Sequence, residues 1–228
     1  MMWILIISAI AIGVFLVYAS SNIQAGIYVK SFCGAKTSEN VLALTFDDGP
    51  DGENTPQVLD LLKAHNVKAS FFCTGSKAEQ HPDIIRRMQD EGHLVGNHSY
   101  SHSNFFPLFP ANKMVEDLRH AQTVLEELTS CPVTFFRPPF GVTNPTIAGA
   151  IRRLGYTSVG WNIRSLDTLK GDPEKVKLRI IKRLKPGGIV LLHDRMPNAA
   201  ATLLLLLTFL KENSYKFVRI DELIKQHR

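Results

Sequence analysis

Two carboxylates, Asp47 and Asp48, stand side by side in LTFDDGPDG (44–52), where an apolar run closes and a Gly-Pro turn begins. Asp, Gly and Pro together also make an ordinary solvated turn, so the pair needs company before it means chemistry. Two histidines, His98 and His102 in NHSYSH, are spaced four apart, which on a helical turn places both imidazoles on one face. Two imidazoles and one carboxylate form a donor set that leaves coordination positions open for water, as catalytic metal sites require. The neighbouring carboxylate, kept off the cation, suits a general base, and the cation relieves the repulsion between the two acids. Arg137 in RPPFG, Asp167 in WNIRSLD and His193 in LLHD are further charged or titratable residues at the ends of apolar runs.

The elements that must position these residues follow from hydrophobic period. Strand-like runs occur at 41–46, 69–74, 93–97, 134–137, 157–161, 188–193 and 217–220. Between them lie helical patterns, including TPQVLDLLKAH with Thr55 as N-cap and Pro56 at the first helical position, and NKMVEDLRHAQTVLEELT with a 3.6-residue period. The leucine run at 203–207 is too short for a second membrane span and reads as a core-facing helix. Alternating strands and helices imply right-handed crossovers and a parallel sheet, either a small βα barrel or a doubly wound sheet. Both architectures gather function at the C-terminal ends of the strands, where five of the seven runs carry Asp, His or Arg. No GxGxxG follows the first strand, which argues against a dinucleotide site.

The first twenty residues, MMWILIISAIAIGVFLVYAS, carry no charge and are just long enough to cross a bilayer. They read as an anchor, or as a secretory signal with VYA (17–19) at its cleavage site, which would leave the domain membrane-anchored or secreted. Residues 21–39 read as a linker or irregular cap, and 40–228 as one catalytic domain, for which a monomer is the default. A composition of 45% hydrophobic and 21% charged residues is that of a globular protein. The net charge of +5 permits an anionic partner without demanding one. Neither a zinc finger nor a dense basic stripe is present, so nucleic acid is not an expected partner. Three cysteines without CxxC spacing indicate no Cys-based zinc site and leave a Cys33–Cys131 bridge open.

Taken in order, TFDDGP, HSYSH, RPPFG, SLD and LLH make residues 40 to 220 resemble the polysaccharide deacetylase (NodB-homology) domain of carbohydrate esterase family 4. The resemblance implies a distorted (β/α)7 barrel, here preceded by one N-terminal hydrophobic helix. It implies that Asp48, His98 and His102 hold one divalent metal ion, usually Zn2+, with Co2+, Ni2+ or Mn2+ also suited to oxygen and nitrogen ligands. It implies Asp47 as general base toward the attacking water, with Arg137 holding it ionised. The backbone N–H of Phe140 belongs to the oxyanion hole, His193 is the general acid oriented by Asp167, and Leu191 lines the acetate pocket. Trp161 reads as either core or pocket wall. Two positions depart from the family pattern. Phe140 stands where Tyr is frequent, and Thr168 stands where many members have Trp, which leaves one wall of the acetate pocket in question. The implied activity is metal-dependent removal of N-acetyl groups from an acetylated glycan such as peptidoglycan or a chitin-like oligomer, outside the membrane. Alternatives are a deacylase of O-acetyl xylan, a formylated lipid-linked sugar or a cyclic amide, and a glycan-binding module without turnover. An intact base and acid, Asp47 and His193, argue against the last. Two stretches keep bland readings: His93 as a packing or surface residue, and FFPLFP (105–110) as a core edge or groove wall.

Overall fold

The structure is a computed structural model that describes residues 1–169 and 172–227. After the apolar helix α1 (Met2–Ser21) come β1 (Val41–Asp47), α2 (Asn54–Ala64), β2 (Ser70–Cys73), α3 (Gly75–Gln80), α4 (Pro82–Asp90) and β3 (Leu94–Asn97). The second half holds α5 (Ala111–Thr129), β4 (Phe135–Phe136), α6 (Pro145–Leu154), β5 (Thr157–Ser158), β6 (Ile163–Arg164), α7 (Pro173–Ile181), β7 (Gly188–His193), α8 (Ala199–Glu212), β8 (Lys216–Phe217) and α9 (Ile220–His227). All ladders are parallel, in the order β5-β4-β3-β2-β1-β7-β6, with β8 beside the start of β1.

The connection between β5 and β6 shows that this sheet is curled. The two strands occupy opposite edges of the path, yet Ser158 and Ile163 are five residues apart in sequence. Five trans peptide steps reach at most roughly 19 Å, whereas seven flat strands would set their edges about 29 Å apart. The seam that remains is filled by the segment after α1. Phe32 bridges Val159 in parallel, Gly34 bridges Gly188, and Ala35 N–H donates to Gly187 O at 2.9 Å. Residues 31–35 are therefore an ordered cap.

Alternation along the strands explains which side chains enter the barrel. On β1, Leu42, Leu44 and Phe46 face the helical layer with Leu59, Leu203 and Leu207, while Val41 and Ala43 turn inward with Trp161, Ile189 and Leu191. The inward row of β1 continues through Thr45 to Asp47, and that of β7 runs Ile189, Leu191, His193. One face thus passes from apolar at the barrel floor, closed by Ile220, Leu223 and Ile224 of α9, to polar at the strand ends. The leucine run lies in α8, with Leu203, Leu206 and Leu207 buried in the outer core.

Each of the seven expected strand runs contains a strand, and several boundaries differ. The run 157–161 is strand only at Thr157–Ser158, because the Val159 and Gly160 carbonyls accept from the Arg137 guanidinium at 3.3 and 2.9 Å in place of a neighbouring strand. An eighth strand, Ile163–Arg164, was not anticipated. Thr55 does not cap α2. The helix begins two residues earlier, at Asn54, Asp51 accepts the N–H groups of Glu53 and Asn54, and the Thr55 hydroxyl is used elsewhere. The Cys33, Cys73 and Cys131 thiols are free. His93 is buried packing; its Nδ1 accepts the Ala69 N–H at 3.1 Å, and burial pulls its pKa down to about 4.

Candidate active site

The inward row of β1 delivers Asp47, and Asp48 follows with φ +71°, a left-handed conformation that swings its carboxylate toward the β3 side. Asp48 Oδ1 lies 3.4 Å from His98 Nε2 and 3.1 Å from His102 Nε2. The histidines do not sit on a helical turn. They lie in an irregular loop in which Ser99 and His102 both have positive φ, +69° and +43°. That loop is held by side chains: Asn97 Oδ1 accepts Ser99 N–H, Asp117 accepts the N–H groups of Tyr100 and Ser101, and Ser99 Oγ accepts His102 N–H. The four-residue spacing brings the rings together, with centroids 5.0 Å apart, through a side-chain-braced turn.

The donor atoms of Asp48, His98 and His102 lie within 4.8 Å of one another. His98 Nδ1 is 2.7 Å from the Arg137 carbonyl oxygen, so Nδ1–H donates and Nε2 is the nitrogen turned toward Asp48. Two imidazole nitrogens and one carboxylate, with the remaining directions opening into a cavity, fit a divalent cation. Burial alone would raise the Asp48 carboxyl, but the His98 and His102 rings turned toward it hold it well below the usual carboxylate range. Arg195, which the sequence reading did not single out, donates Nε–H to Asp48 Oδ2 at 2.9 Å.

Asp47 is paired differently. Its Oδ1 accepts from Arg137 Nη1 at 2.6 Å, and the same nitrogen donates to Thr45 Oγ1 at 2.8 Å. Arg137 is fully buried, with its guanidinium 4.2 Å over the Phe72 ring and 5.6 Å from Trp161. Burial pulls its pKa down and Asp47 pulls it back; an arginine so paired stays charged. Asp47 Oδ2 faces the histidine cluster, 3.9 Å from His98 Nε2.

Across the cavity, His193 ends the inward row of β7. Its Nδ1 is 2.8 Å from Asp167 Oδ1, and its backbone N–H donates to Asp167 Oδ2 at 2.8 Å. Asp167 is fixed in turn by the Ser165 hydroxyl at 2.8 Å. Burial opposes the charged imidazole, yet Asp167, with smaller contributions from Asp47 and Asp48, outweighs it and raises the His193 pKa. With Nδ1 occupied, Nε2 is the nitrogen left for the cavity.

These groups share one cavity of about 270 Å³, also lined by Phe140, Gly141, Trp161, Arg164, Leu166, Thr168 and Leu191. Trp161 is both core and wall. Its ring would lie 2.4 Å from a Cβ at Gly141, so that glycine admits the indole. Phe140 has φ +60°, and its half-exposed ring packs edge-on against His102. Leu166, at φ +55°, joins Thr168 on the wall in question. Among the described residues, five of the eight non-glycine residues with positive φ (Asp48, Ser99, His102, Phe140 and Leu166) belong to the cavity or the loop that carries its histidines, so backbone strain is concentrated there. Every sequence-predicted site residue except Arg137 and Asp167 lines the cavity, and those two touch lining residues directly.

Asp194, next to His193, also escaped the sequence reading. It is buried, accepts from the Thr55 hydroxyl at 2.6 Å, and is pushed up to about 7 by burial. A Cβ at Gly49 would stand 2.1 Å from Asp194 Oδ2, so the glycine after the paired acids makes room for this carboxylate. The signal was the unbroken HDR (193–195), whose second and third residues could have been read with the first.

Comparison with known proteins agrees with this geometry. Residues 34–159 match the family model described as polysaccharide deacetylase. Peptidoglycan-N-acetylglucosamine deacetylase PgdA of Listeria monocytogenes is 38% identical over 189 residues, 83% of this chain and 40% of that protein. The chain thus spans two-fifths of the length of that relative. Peptidoglycan-N-acetylmuramic acid deacetylase PdaA of Bacillus subtilis is 34% identical over 85% of this chain and 75% of its own length. The structure of PdaA superimposes with a TM-score of 0.78 over 86% of this chain and 85% of that one, at 34% identity. The peptidoglycan N-acetylglucosamine deacetylase Bc1960 does so at 0.79 over 85% and 92%, at 29% identity. The expected distorted βα barrel is the fold these proteins share, and this chain belongs to the polysaccharide deacetylase family.

Proposed function

We propose that this protein is a metal-dependent hydrolase that removes N-acetyl groups from an amino-sugar glycan, most simply peptidoglycan. The observation that carries the reading is one cavity holding two unlike pairs, Asp47–Arg137 and His193–Asp167, on either side of a three-ligand set. Relatives named as deacetylases of peptidoglycan N-acetylglucosamine and N-acetylmuramic acid support the substrate class.

Asp48, His98 and His102 would hold the cation, with Zn2+ the first choice for this donor set. When bound, it supplies Lewis-acid polarisation of a water and of the acyl oxygen. Asp47 keeps Oδ1 on Arg137 and offers Oδ2 as the base that takes the proton of the attacking water. The buried guanidinium holds one oxygen of that carboxylate and fixes its direction. As oxygen adds to the acetamide carbon, the Phe140 N–H would donate to the developing oxyanion; one such donor contributes about 3 kcal/mol in other enzymes. His193 donates its Nε2 proton to the sugar nitrogen as the C–N bond breaks, and Asp167 stabilises the imidazolium beforehand. Hydroxyl ends on acetate and hydrogen on the amine, so atoms balance with water as the co-substrate. Leu191 and Trp161 give the methyl group its apolar surface.

In this reading α1 is a retained anchor, residues 21–39 are the cap, and 40–228 form the catalytic domain outside the membrane. α1 is long and apolar enough to cross a bilayer. The end of α1 is joined to the domain: Ala19 is only 1% exposed, and the Ala19 and Ser20 carbonyls accept from Thr143 at 3.4 and 2.9 Å.

The test is acetate release from N-acetylglucosamine oligomers and from peptidoglycan, metal-stripped and then with Zn2+ or Co2+ restored, beside Asp47→Asn. Release that needs metal and that Asp47→Asn lowers by at least about a hundredfold is expected. No release with metal verified in the protein would remove the N-deacetylase reading and favour the binding-module alternative.

A further inference from the structure

Two exposed apolar side chains stand on the active-site side of the barrel and take no part in the proposed chemistry. Phe105 and Leu108, in the turn shortly after His102, are 69% and 79% exposed. The turn is rigid. Phe106 and Phe109 are buried beneath it in the core around Met114 and Phe136, and a short 3₁₀ helix, Phe106–Leu108, fixes its backbone. The exposed pair is therefore displayed on a built platform.

The same platform is tied to the end of α1. The Asn144 side chain donates to the Pro107 carbonyl at 2.6 Å, and Thr143, one residue earlier, donates its backbone N–H to Ser20 O at 2.9 Å. α1 has twenty residues, about 30 Å of helix, which matches the hydrocarbon thickness of a bilayer. No slack separates it from the domain, because Ala19 is already buried against it. A membrane-inserted α1 would leave the bilayer at Tyr18–Ser21, at the level of Thr143 and Asn144. Pro107 is one hydrogen bond further along. Lys113, 4.2 Å over the Phe109 ring, adds a cation beside the exposed pair, as contact with anionic headgroups favours.

From this connectivity we infer a second membrane contact: Phe105 and Leu108 enter the bilayer interface beside the anchor and seat the catalytic cavity at the membrane surface. This rests on the reading of α1 as a retained anchor. A second protein copy suits the patch poorly, because stable interfaces bury about 800 Å² on each partner and two side chains offer far less. The consequence is selectivity by place. The cavity then meets glycan held close to the membrane, such as chains still carrying a lipid, before it meets the outer wall.

The test uses the full chain in vesicles of phosphatidylglycerol and phosphatidylethanolamine, with Leu108→Trp made in a Trp3→Phe background and the emission of that background, which comes from Trp161, subtracted. The expected result is a blue-shifted emission that acyl chains brominated near the headgroup quench, while Phe105→Asp in the same chain reduces that quenching. If Trp3, read as the difference between the parent and Trp3→Phe chains, is quenched but tryptophan at 108 emits as in water, the anchor stands and the second contact is refuted. If Trp3 is unquenched and the protein does not float with the vesicles, the anchor reading fails and takes the contact with it. A shift at 108 caused by a soluble chitin oligomer without lipid would assign the turn to glycan and overturn the proposal.

Discussion

The two walls of the cavity are built on different principles. The wall from β1, β3 and β4 presents Asp47, Asp48, His98 and Arg137, all buried, each held by at least one neighbour. The facing wall, from the β6 and β7 ends, presents Arg164, Leu166, Thr168 and His193, which are half-buried or exposed. The Asp167 clamp on His193 fixes one end of it. Charges that must stay ionised away from water need fixed partners, because an unpaired buried ion costs several kcal/mol. Groups that meet a substrate need access. In the proposed mechanism the first wall supplies the metal ligands and the base, and the second supplies the acid and meets the substrate.

The largest expected effect comes from breaking the first wall. Arg137→Met leaves the Asp47 carboxylate buried without its cation, together with unsatisfied acceptors at Thr45, Val159 and Gly160. Loss of about 3–5 kcal/mol of folding stability is expected by urea denaturation, with activity lost as well. Arg137→Lys restores the charge but not the fork of four hydrogen bonds, and should fall between. Parent-like stability in Arg137→Met would mean that this wall is not held together by the buried pair.

A smaller effect is expected from the clamp on the second wall. His193 has a raised pKa, so its protonated form persists to higher pH than an ordinary imidazole. An acid must be protonated to donate, and activity should fall as pH rises through that folded-state value. The charge also contributes folding stability, present below the unfolded value of about 6.5 and lost as pH rises past the folded one. Asp167→Asn removes the main raising influence and leaves burial, which lowers. The alkaline limb of the kcat profile should move to lower pH, and kcat should fall by about a hundredfold. An unmoved limb would assign it to a group other than His193.

The same contrast governs what the sequence disclosed. The first wall is written in short runs, because adjacent acids after a strand and two histidines four apart have few uses. The seven strands were legible as short apolar runs between helical patterns, and the structure shows which face each residue takes. What was not legible depended on distant partners. The helical turn assumed for His98 and His102 gave way to a loop braced by Asn97 and Asp117, the latter 15 residues beyond His102 in sequence. The run at 157–161 broke because Arg137 took its carbonyls. Arg195 and Asp194 gain meaning only when β7 lies beside β1, bringing them to Asp48 and Gly49. A single-sequence pattern sees neighbours along the chain, and these contacts are made across it.

The finest test concerns Thr168, where the resemblance leaves one wall of the acetate pocket either missing or supplied from elsewhere. Thr168 is exposed at the cavity edge, and Leu166, held at φ +55°, is beside it in the lining. An apolar side chain is thus already present on this side, and its left-handed backbone is a cost that a mere connector would not need to bear. If Leu166 replaces the family's aromatic wall, Thr168→Trp adds surface without adding chemistry. kcat/KM for an N-acetyl substrate should then change by less than tenfold, under about 1.4 kcal/mol of transition-state stabilisation, with most of the change in KM. Leu166→Ala should cost more than Thr168→Trp gains, and should relax discrimination between acetyl and larger acyl groups. A tenfold or greater rise in kcat on Thr168→Trp would show instead that the second wall is incomplete toward acetyl groups. The native substrate would then carry an acyl group or sugar substituent that needs the space Thr168 leaves.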